Sequence, residues 1–130
     1  MTESHETTAG GDENLPSTDE ASLERLKRFG GGKLLDGMIT LYLEAAPERI
    51  NAALAGLAAN DVKATEKALH ALKSSSAQLG AMRIQRLCEQ GEALARSGTL
   101  ENVAGLVSSL EEEFPRVQSW LERARTPEVA

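Results

Sequence analysis

Apolar residues recur every three or four positions over much of the chain, a spacing typical of amphipathic helices packed on a common core. The clearest such stripe, between Lys33 and Ala59, consists of Leu35, Ile39, Tyr42, Ala46, Ile50, Ala53 and Leu57. Pro47 lies within this stripe without shifting its phase. Because an internal proline removes one hydrogen bond, we expect a single bent helix with a kink or short break near Ala45.

A second and a third helix are predicted to follow. Asn60-Asp61 can cap a helix from Val62 to Leu79, and Gly80 stops it. The next helix runs from about Arg83 to Arg96 and is expected to bury Ile84, Leu87, Cys88, Gly91 and Leu94. A glycine inside a helix costs about 1 kcal/mol relative to alanine, so Gly91 predicts a close crossing of two helices.

A fourth long helix is predicted after Thr99, which can cap it, and a short helix precedes the first. The apolar stripe of the fourth helix consists of Val103, Val107, Leu110, Phe114, Val117 and Leu121. The short helix carries Leu23, Leu26 and Phe29, ends at the glycines of residues 30–32 and is expected to cover one end of the bundle. The predicted fold is therefore all-α, an antiparallel up-and-down four-helix bundle with a short N-terminal capping helix.

The acidic charge of the chain is concentrated at its N-terminus. Six of the 20 acidic residues lie within residues 1–20, which contain no Lys or Arg, so residues 21–130 hold 14 acidic and 14 basic residues. Residues 1–17, which include His5, are predicted to be a disordered acidic tail, residues 18–126 the bundle and residues 127–130 a C-terminal tail. The neutral body lacks the positive excess typical of a nucleic-acid-binding domain.

The cysteine and histidine content argues against disulfides and metal clusters. Cys88 is the single cysteine, lies on an apolar stripe and is expected to be a buried thiol. The N-terminus lacks the pattern of a signal peptide, and no stretch approaches the ~20 apolar residues of a membrane span. We expect a soluble cytoplasmic protein that associates with no membrane.

His70 is predicted to lie on the exposed face of the second helix. At about 100° per residue, Leu79 lies opposite His70, with Ala68 and Leu72 close to that buried side. The residues within about 60° of His70 are Lys67, Lys73, Ser74 and Ala77, and Lys63 lies two turns back on the same side. Periodicity alone leaves open whether this face is a functional site or a solvated surface with an incidental histidine.

The segment from Leu69 to Ala81, L-H-A-L-K-S-S-S-A-Q-L-G-A, closely resembles the signature of histidine-containing phosphotransfer (HPt) domains. Flanking segments such as F-G-G-G-K-L-L, A-P-E-R-I and R-L-C-E-Q-G-E-A-L-A-R-S-G are also similar to that family, so the resemblance covers roughly Ala21 to Ala124. Two positions depart from the pattern: Ser74 stands where many members have glycine, and Gly91 stands where a larger apolar residue is usual.

The resemblance implies that His70 is the phospho-acceptor of a phosphorelay between receiver-domain aspartates of a hybrid sensor kinase and a response regulator. Lys73 is expected to stabilise the phosphoryl group, with Lys67 as a helper. The docking face would also include small side chains at Ser74 and Ala77, and Gln78 as a hydrogen-bond donor near the phosphate. The family further implies a monomeric phosphocarrier without a cofactor, with Mg²⁺ bound by the partner receiver.

Two alternatives remain open from the sequence. A helical adaptor could bind kinase or receiver domains without chemistry, although an intact His70 and Lys73 count against it. An ATP-dependent kinase or phosphatase is disfavoured because the chain has no Gly-rich nucleotide loop and no evident cluster of metal-binding carboxylates. The start Met and tail favour a stand-alone protein, but excision from a longer chain also fits.

Overall fold

Four helices build the fold of residues 16–125, the part of the chain that the computed structural model describes. They are α1 (Glu20–Ala58), α2 (Val62–Leu79), α3 (Met82–Arg96) and α4 (Leu100–Ala124). Both α1 and α3 pack against α2 and against α4, which closes a ring around one core. Because the connections are only a few residues long, successive helices run in opposite directions. The predicted all-α four-helix bundle is confirmed.

The predicted short N-terminal helix is present: it forms the first part of α1 and is separated from the longer part by a kink at Gly31. The Asp19 side chain accepts a hydrogen bond from the Ala21 N–H (3.1 Å) and so caps α1. Helical geometry is interrupted at Gly31, whose φ of 79° and ψ of 179° suit glycine alone, and it resumes immediately afterwards. Leu23 is buried, but Phe29, expected to share its stripe, is 88% exposed.

The apolar stripes predicted for the four long helices form the core. Every stripe residue of α4 is buried, as are those of α1 apart from the partly buried Leu57. In α3, Ile84 and Cys88 are fully buried, whereas Leu87 and Leu94 lie at the core's margin. The prediction that Cys88 is a buried thiol is confirmed. Burial raises the pKa of this thiol to about 12.

α1 continues through Pro47 with helical dihedral angles, so the expected short break near Ala45 is absent. One helix spans this region, as predicted.

The predicted close crossing at Gly91 is confirmed. A Cβ atom on Gly91 would lie 2.9 Å from Leu69 Cδ1, so a side chain at this position would require Leu69 to shift. The crossing brings together the residues that follow, His70 on α2 and Glu92 on α3.

Both ends of α2 are fixed by local hydrogen bonds. At the N-terminus, the Asp61 carboxylate accepts from the Ala64 N–H (3.0 Å), as predicted. At the C-terminus, Gly80 adopts the left-handed conformation (φ 85°), and its N–H donates to the Ser76 carbonyl. The expected cap at Thr99 is different: Thr99 holds the N-cap position of α4, but its hydroxyl pairs with that of Ser97.

Residues 17–19 lie across the link between α2 and α3. The Asp19 N–H donates to the Gly80 carbonyl (2.8 Å), and the Met82 N–H donates to the Ser17 carbonyl (3.0 Å). The Ser17 hydroxyl donates to the Glu113 carboxylate of α4. Ser17, which the sequence assigned to the tail, is therefore bound to the bundle. Residues 1–15 of the predicted acidic tail, with His5, and the predicted C-terminal tail of residues 127–130 lie outside the described part of the chain.

No helix within residues 16–125 combines the length and apolar character needed to cross a membrane.

The close contact between Gly80 and residues 17–19 can be tested with two glycine substitutions. Gly80 and Gly98 both have φ near +85°, but a Cβ on Gly80 would lie 2.6 Å from the Asp19 carbonyl oxygen, whereas one on Gly98 meets open space. Gly98→Ala should cost about 1 kcal/mol of unfolding free energy, from the left-handed backbone alone. Gly80→Ala should cost at least about 1 kcal/mol more, because residues 17–19 must move to make room for the added methyl group. Urea denaturation measures both, and equal losses would contradict the contact.

Candidate functional site

His70 lies on the outer face of α2, and its side chain is 61% exposed. The neighbouring Leu69 and Leu72 are buried, as are Ala68 and Leu79 on the predicted core face. The α-helical phase expected from the sequence is therefore confirmed. Because the buried residues hold the helix in register, the imidazole is presented to solvent from a fixed backbone position.

The His70 imidazole contacts a carboxylate on the adjacent helix α3. Glu92 of α3 has a side chain that is only 7% exposed, and its Oε2 lies 2.8 Å from His70 Nδ1. Its other oxygen, Oε1, lies 2.8 Å from Lys73 Nζ. Arg96 Nη2 donates to Oε2 (3.0 Å), and Arg96 Nε donates to Glu66 (2.9 Å). Glu92 therefore links the histidine and the lysine of the predicted site.

Glu92 is ionised at neutral pH. Burial by itself raises the pKa of this carboxyl, but the hydrogen bonds from Lys73 and His70 outweigh burial and hold the pKa below its ordinary value. A buried carboxylate is tolerated only where such partners compensate for its lost hydration. Because the ionised Glu92 carboxylate can only accept hydrogen bonds, the groups in contact with it must donate.

The Glu92 contact assigns the tautomer of His70. An ionised carboxylate only accepts hydrogen bonds, so the imidazole must donate, and Nδ1 carries the proton. In the neutral ring, Nε2 then keeps an unshared electron pair and no proton. The nitrogen that can act as a nucleophile is therefore Nε2.

A shallow depression beside the imidazole is lined by Lys63, Glu66, Lys67, His70 and Glu92. Lys73 and Arg96 border it through their contacts with Glu92. In this set the four cationic side chains outnumber the two carboxylates by two. The depression thus carries a positive excess, although residues 21–130 hold equal numbers of acidic and basic residues.

Apolar side chains of α1 are exposed in two depressions that also include residues of α2. Leu41, which is 66% exposed, shares one depression with Met38, Ala45, Arg49, Ala71, Ser75 and Gln78. Phe29 and Leu26 line a second depression with Arg25, Arg28 and Gln78. We call Leu26, Phe29, Met38 and Leu41 the α1 patch. The first depression thus includes Ala71, the residue that follows His70 on α2.

The structure places the other predicted site residues on the same helix in different surroundings. Lys67, Ser74, Ala77 and Gln78 are exposed, and Lys73 is about a quarter exposed. Lys67 lies in the depression with His70. Gln78 lies against the α1 patch, about 12 Å further along the helix at 1.5 Å per residue, so its side chain suits a docking role better than a phosphate contact.

The two serines after Ser74 have structural contacts. The Ser75 hydroxyl donates to the carbonyls of Ala71 and Leu72. The buried Ser76 hydroxyl pairs with Tyr42 OH of α1 (2.8 Å), a contact that the sequence did not suggest. This hydrogen bond ties α2 to α1 below the site.

Glu92 is the functional residue that sequence reasoning missed. It follows Cys88 by four positions and therefore lies on the buried stripe of α3, where a carboxylate is unusual. This spacing could have identified Glu92 as a buried carboxylate, but it does not show which residue of another helix the carboxylate contacts. Among residues 16–125, no group of three or more His, Cys, Asp or Glu side chains is arranged to hold a metal ion.

Comparison with known proteins identifies the family and supports the fold. The family model described as the Hpt domain matches residues 37–123. The fold is similar to the crystal structure of histidine-containing phosphotransfer protein B (HptB) from Pseudomonas aeruginosa PAO1, with a TM-score of 0.80 and 25% sequence identity over 85% of this chain and 96% of that one. No curated protein matches the chain. The chain belongs to the Hpt domain family, the histidine-containing phosphotransfer proteins.

Proposed function

We propose that this protein is a phosphocarrier whose His70 Nε2 accepts a phosphoryl group from the aspartate of one receiver domain and passes it to the aspartate of another. The observation that carries the proposal is the exposed imidazole whose Nδ1 is engaged by Glu92, which leaves Nε2 as the nucleophile. The donor would be a hybrid sensor kinase and the final acceptor a response regulator. The carrier itself, a cytoplasmic monomer in this proposal, would have no ATP-dependent kinase activity.

The transfer needs one bond to form and one to break. The Nε2 electron pair attacks the phosphorus of the aspartyl phosphate, the P–O bond breaks, and the aspartate leaves as a carboxylate. His70 then carries a P–N bond and the proton on Nδ1. Donation is the reverse, with the carboxylate of the second receiver as the nucleophile. Because such transfer depends mainly on positioning and charge, an exposed histidine on a rigid helix is sufficient machinery.

The charge around His70 suits a phosphoryl group. A phosphoryl group on a side chain carries about −1.5 to −2 charges at neutral pH, which matches the excess of two cations around the depression. Lys73 is the best placed of these cations because it lies one turn from His70 and its ammonium group is held near the ring by Glu92. Its effect should increase when a docked receiver excludes water.

The α1 patch supplies an apolar surface for the receiver. Exposed Leu41 and Phe29 gain free energy when a partner covers them, and the small Ser74 and Ala77 allow the rim of a partner site to approach. Mg²⁺ would enter with the receiver, since phosphoryl transfer from an aspartate needs a cation at that aspartate. Arg25, Arg28 and Arg49 around the patch would meet acidic groups on the partner.

Phosphotransfer from a labelled receiver tests the assignment. With a phosphorylated receiver and Mg²⁺, label should move to the wild type, and His70→Gln should abolish the transfer. Lys73→Gln should slow it about tenfold or more, because a cation near the transferred group is lost, whereas Lys33→Gln on exposed α1 should not. ATP alone should give no label. Label that persists in His70→Gln would contradict the proposal, and receiver binding without any label would favour the adaptor.

Docking can be tested separately from chemistry with Leu41→Asp. A carboxylate in the α1 patch should weaken receiver binding by about tenfold or more, because burying it costs free energy that Leu41 does not. Ala104→Asp, an exposed position on α4 outside the depressions around His70 and the α1 patch, is the matched control. Titration calorimetry with His70→Gln as the background avoids turnover. Equal affinities for the two Asp variants would show that the receiver docks elsewhere.

A further inference from the structure

Gly31 changes the direction in which the first part of α1, residues 20–30, faces the bundle. In an uninterrupted α-helix Arg28 would lie within about 20° of the buried Leu35, and Leu23 would lie about 120° from Leu35, away from the core. The structure has the opposite arrangement, because Arg28 is exposed and Leu23 is buried. The non-helical backbone at Gly31 (φ 79°, ψ 179°) therefore resets the helical phase between the two parts of α1.

The same reset places Phe29 beside apolar residues of the second part of α1. In an uninterrupted helix Phe29 would point about 180° away from Met38 and about 120° away from Leu41. In the structure the depression of Phe29 and the depression of Met38 and Leu41 share Gln78 of α2. All three apolar side chains thus lie on the α2 side of α1. The turn at Gly31 brings Phe29 into the α1 patch.

The backbone at Gly31 requires glycine. A positive φ combined with an extended ψ is a conformation that glycine populates readily and that other residues adopt only under strain. A Cβ atom on Gly31 would meet no other atom within 4 Å, so the space around the residue does not impose this requirement. The identity of residue 31 thus controls where Phe29 points.

The depression around Phe29 lies at the margin of the proposed docking surface. Gln78, which lines it, is about 12 Å from His70 along α2 at 1.5 Å per residue. An interface of standard size covers about 800 Å² of each partner, which is a disc of about 16 Å radius. A receiver centred on His70 therefore covers Leu41, whose depression includes Ala71. It reaches Phe29 only where its own surface extends to that margin.

The chemistry of this marginal depression is well defined. The Phe29 side chain is 88% exposed, and the guanidinium groups of Arg25 and Arg28 flank it. The other residues that line the depression are uncharged. It therefore fits a partner surface with an apolar side chain next to carboxylates. A receiver with lysine or arginine at that place would be repelled.

We infer that Gly31 and Phe29 determine which receivers this protein accepts. Phe29 makes the contact, and Gly31 is the positioning residue that turns Phe29 towards the partner. Leu41 contributes to the docking of every receiver, whereas Phe29 contributes only for receivers with the matching apolar and acidic surface. The inference deepens the proposed function, on which it rests, by stating the surface chemistry of the preferred partner.

Selectivity is measured as the ratio of transfer rates among receivers. Isolated receiver domains are phosphorylated with acetyl phosphate and Mg²⁺, and the second-order rate constant for transfer to the protein is determined for each. Phe29→Ala should lower this constant about fivefold or more for the receivers that the wild type prefers and leave it unchanged for the others. Leu41→Ala should lower it for all receivers. The rate at saturating protein, which reports chemistry at His70, should not change in Phe29→Ala.

Two glycine substitutions on α1 separate the backbone turn from added bulk. At Gly31 and at Gly37 a Cβ atom would meet no atom within 4 Å, but only Gly31 has a positive φ. Gly31→Ala should lower the selectivity ratio as Phe29→Ala does, and Gly37→Ala should behave as the wild type. The double variant of Gly31→Ala and Phe29→Ala should lose little more than either single variant, because Gly31 acts through Phe29.

Three outcomes would overturn the inference: an unchanged selectivity ratio in Phe29→Ala, equal ratios in the two glycine variants, or additive losses in the double variant. Far-ultraviolet circular dichroism checks the fold, and if Gly31→Ala does not fold, Phe29→Ala decides. A wild type that takes no label from any receiver would instead contradict the proposed function.

Discussion

The contact between Glu92 and the His70–Lys73 pair is the interaction on which the site depends. It joins α2 and α3 through a buried charge, and each partner compensates for part of the carboxylate's lost hydration. Beside this contact, Gly91 of α3 packs closely against Leu69 of α2, where the two helices approach each other. The next residue on each helix, His70 and Glu92, forms the hydrogen bond of the site.

The rest of the bundle keeps α2 from moving relative to that contact. Asp61 caps its start, residues 17–19 hold its end at Gly80, and the Ser76–Tyr42 hydrogen bond ties its buried side to α1. A site that carries a phosphoryl group between partners needs little catalytic equipment, but the nucleophile must meet each receiver in the same orientation. The fold therefore contributes rigidity and an exposed histidine, and the proposed receivers contribute the aspartates and the metal.

Helical periodicity predicted the bundle and the face of α2 that carries His70, because both depend on which residues of one helix share a side. Leu72 and Leu79 were enough to orient the ring. The Glu92 contact depends on how two helices cross, and no spacing within α3 reveals which residue of α2 a buried carboxylate meets. Phe29 was misplaced because, at about 100° per residue, it lies about 120° from the buried Leu23 around the helix, so the two residues do not share a face. Ser17 was assigned to the N-terminal tail because its hydrogen-bond partners, the N-terminus of α3 and Glu113, are distant in sequence.

The atom that carries the phosphoryl group is the most direct test of this account. The protein, labelled with ¹⁵N in its histidines and phosphorylated by a receiver, can be examined by NMR for coupling between phosphorus and each imidazole nitrogen. The structure predicts coupling to Nε2 of His70, since Glu92 occupies Nδ1. Coupling to Nδ1 of His70, or to either nitrogen of His5, would contradict it.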